Sequence, residues 1–274
     1  VPSGSVVATY SNVNLIAQNS VLVTLKLLPM GPDSLVLETT DVNGTALPNT
    51  KVYVKGGYKR YTATTDTSYY YDNMRGGDTR PTTDASGLFG LSSLVPGDYI
   101  FCGDAGATSC SVGGTTYYLA AALPYGGSSP LNPITVPTYD PSNPPSTTYS
   151  YNSKNYYQKV RLMLTADSSF PRVYSMAPNS ASISSDPMSN LAFTINGTNL
   201  PCSASASSCA TQVQFKQASN TYTASCTGTA AGTKLNCTIN LSSASSGKMS
   251  MSVTSGGKTL NLPDTPLGGF NVLP

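Results

Sequence analysis

Short apolar runs of period two, each closed by a turn signal, follow one another along this chain from end to end. That rhythm builds β-strands joined by tight connections, and no stretch carries the 3.6-residue period of an amphipathic helix. The segment TTDASGLFGLSSLVPGDYIFC, Thr82 to Cys102, shows it best. Asp84 and Gly87 stand at the first and last positions of a type I turn, where a carboxylate caps the turn and glycine follows without steric cost. Leu88 to Leu94 then reads as a strand with Phe89 and Leu91 on one face. Pro96-Gly97 signals a type II turn, since Pro presets φ and Gly accepts a positive one. Asp98 to Cys102 is the next strand, with Tyr99 and Phe101 on one face and Ile100 and Cys102 on the other. The expectation is an antiparallel unit of turn, strand, turn, strand.

The same reading extends in both directions. Val21 to Leu28 and Leu35 to Thr39 are strands, and Asn43-Gly44 predicts a type I′ hairpin turn with positive φ at both residues. Thr50 to Lys55 alternates, with Val52 and Val54 on one face. A polar, Tyr-rich insertion, TDTSYYYDNMRGGDTRP, follows. Tyr117 to Leu123 is a strand, Pro124 to Pro145 an extended loop, and Tyr156 to Leu164 a closing strand. Thr165 to Pro171 is polar and ends in Pro, which places a domain boundary there. Beyond it Arg172-Val173 opens a second series: LAFTING, TQVQFKQ, TYTASC, KLNCTINL, KMSMSVTSGG and GGFNVLP. About seven strands in roughly 100 residues is the rhythm of an immunoglobulin-like sandwich. The expected organisation is all-β: an N-terminal arm over 1–19, one β-sandwich over 20–168 and a second over 169–274.

Composition narrows the function classes. Only 10% of the 274 residues are charged, against about 25% in typical globular chains. The formal net charge is +2 and no Lys/Arg run occurs, so a nucleic-acid partner is not expected. No apolar stretch approaches the length of a membrane span. With no initiator Met and no signal peptide, Val1 reads as the start of a processed chain. The count of His is 0, which removes Ser-His-Asp and Cys-His chemistry, His-ligated metals and the usual general base. Carboxylate-pair chemistry stays open, but the acidic residues are few and dispersed. An enzyme is therefore the last-ranked reading, and no cofactor is expected.

The 6 Cys come as close pairs: Cys102 and Cys110, Cys202 and Cys209, Cys226 and Cys237. Six cysteines allow about 15 connectivities. Neighbour pairing is the expectation, because each pair brackets a small polar loop, and it implies an oxidising compartment. Zinc is the alternative, disfavoured by the lack of any CxxC or His.

The order DVNGTALPNTKVYV … TTDASGLFGLSSLVPGDYIF resembles the carboxypeptidase regulatory-like and Cna B-type family over about residues 20 to 165. The resemblance rests on T-x-D-x-x-G paired with L-x-P-G-x-Y, and it implies a transthyretin-like β-sandwich, usually a non-catalytic module of surface and secreted proteins. Some members carry a Lys–Asn isopeptide bond assisted by a Glu after the P-G-x-Y strand. Here Phe101-Cys102-Gly103 stands in that place, so Lys26, in a plausible first strand, is not expected to be crosslinked. The second half, PRVYSMAPNSASISSDPMSNLAFTINGTNL with VQF beyond it, resembles TIG-type immunoglobulin-like domains. Those are structural spacers and binding modules.

Several residues invite a role. Tyr69-Tyr70-Tyr71 would supply rigid amphipathic contact area at an interface; sugar stacking is a second use, and ordinary strand or loop aromatics the bland one. Asp72, Asn73 and Asp78 could offer oxygen to Ca²⁺, but Arg75 sits among them and the spacing is no EF-hand, so a solvated loop is preferred and no metal is expected. Sequons occur at Asn43, Asn196, Asn236 and Asn240; the turn role of Asn43 leaves the other three as glycosylation candidates. The apolar arm residues Val6, Val7 and Tyr10, with Val13 to Ile16, could add a strand to a neighbour's sheet or pack on their own domain. The resulting expectation is an extracellular, cell-surface structural or adhesive subunit of a filament or pilus that self-associates. A pilin-like helical stem would have to come from a companion chain. The alternative is a secreted carbohydrate- or protein-binding module.

Overall fold

The computed structural model describes residues 5–7, 27–29, 33–63, 66–72, 79–103, 108–126, 132–137, 139–140, 142–203, 209–263 and 269–274. In the first half the strands are β1 (Ser5–Val7), β2 (Leu27–Pro29), β3 (Asp33–Asp41), β4 (Thr50–Lys51), β5 (Val54–Ala63), β6 (Asp66–Asp72), β7 (Leu88–Ser92), β8 (Gly97–Phe101), β9 (Cys110–Val112), β10 (Thr115–Pro124), β11 (Ile134–Val136), β12 (Tyr149–Tyr151), β13 (Lys154–Tyr156) and β14 (Gln158–Thr165). The second half adds β15 (Arg172–Ala177), β16 (Ser180–Ser182), β17 (Leu191–Thr198), β18 (Gln212–Gln217), β19 (Asn220–Thr223), β20 (Ser225–Gly228), β21 (Lys234–Ile239), β22 (Gly247–Ser255), β23 (Lys258–Leu262) and β24 (Phe270–Leu273). The chain is all-β; among the described residues helical structure is limited to a 3-10 turn at Met188–Asn190.

A six-stranded sheet, β4-β9-β10-β14-β3-β7, and a four-stranded sheet, β11-β8-β5-β6, make up most of the first half. Period two decides their inner faces. Leu35 and Leu37 of β3, Val160, Leu162 and Leu164 of β14, and Tyr99 and Phe101 of β8 all enter one core. Val52 and Val54 share it, as their alternation predicts. The second half has the sheet β15-β17-β21-β20 and the sheet β16-β24-β22-β18-β19, with β23 paired to β22. Its core is built on Phe215, whose ring lies edge-on to Phe193 and Phe270 at centroid distances of 5.4 and 5.5 Å. β23 follows the Gly256-Gly257 turn, a hairpin that the short KTLNL segment did not announce.

The pair β10–β14 belongs to both cores. Leu119 and Ala122 face the first, while Ala120, Ala121, Leu123 and Met163 face the second, together with Val173 of β15. A bulge between Leu119 and Ala121 re-aims the strand. Five consecutive residues of β10, Leu119 to Leu123, are buried, and a strand covered on both faces reads as a continuous apolar run rather than an alternation. Lys258 of β23 adds an ion pair to Asp167, which precedes β15.

Several expectations need correction. The Thr82–Cys102 segment is not one antiparallel unit: β7 pairs with β3, whereas β8 pairs with β5 and β11 in the other sheet. Leu94 and Val95 are buried between them, so the connection crosses the core instead of folding back. The Asp84 turn does form, with Gly87 N–H donating to Asp84 O and the Asp84 carboxylate accepting from Ser86 and Leu88. Gly97 has φ +142°, a conformation that L side chains rarely adopt, and opens β8, where a Cβ would lie 3.1 Å from the Gly57 backbone. Ile100 points outward, 41% exposed, but Cys102 turns into the core through a positive φ of 44° just past the strand. At the first hairpin only Gly44 has positive φ; the Asp41 carboxylate accepts from the Asn43 and Thr45 amides. That makes a type I turn followed by a left-handed glycine instead of type I′. The Pro-rich loop contains β11, which pairs with β8. The Tyr-rich insertion contains β6, which pairs with β5. Of the strand expected over Val21 to Leu28, Leu27 and Leu28 lie in β2, and the rest, with Lys26, lies outside the described residues.

Candidate functional site

Among the described residues, a cluster of charged side chains lies on the outer face of the six-stranded sheet. β3 and β14 run parallel, and their register sets Glu38 opposite Arg161. Alternation that sends Leu37, Val160 and Leu162 inward therefore sends Glu38, Lys159 and Arg161 outward. Tyr125 joins them from the end of β10, held by its amide donating to Lys159 O at 2.9 Å. Its hydroxyl donates to Glu38 Oε2 at 2.6 Å. Arg161 Nε donates to the same oxygen at 2.6 Å, and Arg161 Nη2 to the Tyr125 hydroxyl at 3.0 Å. Lys159 Nζ reaches Glu38 Oε1 at 3.2 Å and lies 4.4 Å from the Tyr125 ring centroid. The ring of Tyr149 meets that of Tyr125 edge-on at 5.7 Å.

The protonation states follow. Burial alone would raise the Glu38 carboxyl. Hydrogen bonds from Arg161 and Tyr125 and the charges of Lys159 and Arg161 outweigh it and hold the group below its ordinary value. Tyr125 is pushed up to about 12 by burial and by the Glu38 carboxylate, so at neutral pH it is a neutral donor. For Arg161 the carboxylate bond and charge outweigh burial and raise it further. The cluster is thus a half-buried carboxylate with three donors, arranged to hold strands together. Because the folded-state value of Glu38 is depressed, its contribution is present above the ordinary Glu value of about 4.3 and is lost as pH falls through the folded one. Glu38→Gln should lower stability by about 2 kcal/mol at pH 7. The gap to the natural protein should close as pH falls below about 4 in denaturant titrations. A gap that stays constant with pH would remove the charge from the explanation.

Arg161 also borders a cleft of about 400 Å³ between the first hairpin, β14 and the β22–β23 pair. Met163, Met251 and Leu262 give it an apolar floor, and Asn43, Arg161 and Lys216 stand on its rim. Sequence reasoning missed both cluster and cleft. The only signal was the unusual density of Tyr and cations in STTYSYNSKNYYQKVR.

The sequence-derived candidates fall elsewhere. All three disulfides join neighbours, Cys102–Cys110, Cys202–Cys209 and Cys226–Cys237, as expected. The last links directly opposite residues of β20 and β21. Tyr69, Tyr70 and Tyr71 lie on β6, at one end of the four-stranded sheet, with Tyr69 opposite Lys59 and Tyr71 opposite Gly56. Asp72 ends that strand, while Asn73, Arg75 and Asp78 lie outside the described residues; among those described, no group of three metal-ligating side chains occurs. Val6 and Val7 lie on β1, paired with β2 of the same chain, whereas Tyr10 and Val13 to Ile16 lie outside the described residues. Asn196 and Asn236 are exposed on β17 and β21, Asn240 is exposed just beyond β21, and Asn43 is exposed at its hairpin. Asn196 donates to Ser175 Oγ at 3.0 Å. No described helix is long and apolar enough to cross a membrane.

Comparison with protein-family models, with curated proteins and with solved structures found no match to this chain.

Proposed function

We propose that this protein is an extracellular structural or adhesive subunit of a cell-surface assembly, a filament or pilus built by self-association. The observation that carries the reading is the sharing of β10 and β14 between two cores in a disulfide-closed, all-β body. Three disulfides suit an oxidising, secreted environment. A body whose halves share strands transmits position and force without a hinge, which suits a building block. The resemblance to transthyretin-like and TIG-type modules agrees with such a role. Tyr69 to Tyr71, on β6 at the edge of its sheet among the described residues, are the proposed contact, because an edge strand offers backbone groups for pairing. Electron microscopy and light scattering on protein taken from the native cell surface test this. Filaments are expected, and Tyr69, Tyr70 and Tyr71 changed together to Ser should impair them. A uniform monomer would overturn the reading.

The cleft favours a second reading, a secreted module that binds an acidic oligosaccharide. Lys216 and Arg161 supply cationic donors above the methionine floor. An array of acidic oligosaccharides, read for the natural protein and Lys216→Ala, would decide it: binding lost in the variant supports it, and no binding to the array rejects it.

A further inference from the structure

We infer that the fold is built to carry tension, with the parallel pair β3–β14 as its force-bearing element. The two strands pair over seven consecutive positions, from Gln158↔Leu35 to Leu164↔Asp41, inside the six-stranded sheet. The chain enters β3 at Asp33 and leaves β14 at Thr165. Because the strands are parallel, those two points lie at opposite ends of the pair. Tension applied between them slides one strand along the other, so every rung is strained at once. Tension applied at the same end of both strands would instead open the rungs one after another.

The rungs are also shielded from water, the competitor that makes a strained hydrogen bond easy to exchange. Leu35, Leu37, Leu162 and Leu164 cover the inner face and are all fully buried. On the outer face Glu38 and Arg161, themselves opposite across the pair, are tied directly and through Tyr125. The charged cluster thereby acquires a mechanical role, because it crosslinks the two strands that tension would slide apart. β14 is flanked on its other side by β10 and β3 by β7, so both strands lie inside the sheet, and neither is an edge strand that could be peeled away alone.

The second half repeats the arrangement on a smaller scale. β24, its last strand, pairs in parallel with β16 over three positions, from Ser180↔Asn271 to Ser182↔Leu273. Flanking bonds from Asn271 N–H to Asn179 O and from Ile183 N–H to Leu273 O extend it. With fewer rungs and no ion pair across them among the described contacts, this pair should yield first.

The inference deepens the structural-subunit reading and rests on it for its biological meaning. Force is read on single molecules and filament formation on assemblies, so either can fail without the other. The test is single-molecule pulling of the oxidised full chain. One sample carries handles at the two termini. The other carries them at the N-terminus and at Ser153, an exposed turn position just upstream of β14. The first geometry shears β3–β14 and the second opens it from one end. The expected result is a clearly higher rupture force for the first half in shear than in opening, preceded in the shear sample by a weaker event that releases the second half. Glu38→Gln should lower the shear force and leave the opening force unchanged. Equal forces in the two geometries, or release of the first half before the second, would overturn the inference.

Discussion

Phe215→Ala should cost about 4 kcal/mol and lower the unfolding temperature by roughly 10 °C. Phe215 is 1% exposed and lies between the two sheets of the second half. Its ring edges meet Phe193 from one sheet and Phe270 from the other. Truncation removes two edge-to-face contacts and leaves a cavity that strands pinned by their own ladders cannot close. Phe215→Leu should recover more than half of the loss, since it refills most of the volume. Thermal melting of the three proteins checks both statements. A loss below about 1 kcal/mol for the alanine variant would mean that the sheets close over the gap.

Loss of all three disulfides should have the largest effect of any change. Their sequence separations are 8, 7 and 11 residues, and loops of that size contribute about 2.5 kcal/mol each through restriction of the unfolded chain. Together that is roughly 7 kcal/mol, comparable with the whole stability of an ordinary domain. The bonds are not equivalent in setting. Cys226 and Cys237 are both buried and opposite one another in an antiparallel pair, so that bond also braces a sheet, whereas Cys202–Cys209 closes a connection. Replacing Cys226 and Cys237 by Ala should therefore destabilise more than replacing Cys202 and Cys209 by Ala, in urea titrations under oxidising conditions. A reduced protein as stable as the oxidised one would show that the cores suffice alone.

Much of the local structure was legible in the chain. Alternation placed Val52, Val54, Tyr99 and Phe101 inside, because one residue per pleat must face the core. Close spacing paired the cysteines, because nearby thiols across a short loop meet before distant ones. Asp84 and Gly87 marked a turn by their own hydrogen-bonding and backbone freedom. These are short-range effects, and each is complete within about ten residues.

The candidate site was not legible, for the opposite reason. Glu38, Tyr125, Lys159 and Arg161 are brought together only by the β3–β14 register and the end of β10, and Glu38 is separated from Arg161 by 123 residues. No local pattern announces a parallel partner, since alternation reports which face is buried and says nothing about which strand lies beside it. The same limit explains the misassigned Thr82–Cys102 unit: consecutive strands joined by Pro-Gly can fold back in one sheet or cross to another. Buried Leu94 and Val95 decide for the crossing, and their burial depends on the opposing sheet.

By itself, then, the sequence determined the all-β class, the position of most strands and turns, the inner faces and the disulfide partners, all through interactions between neighbours in the chain. Only the tertiary structure decided which strands lie side by side, that β10 and β14 serve two cores, and where opposite charges meet. Those depend on contacts between residues far apart in the chain, whose energy exists only once both sheets are in place.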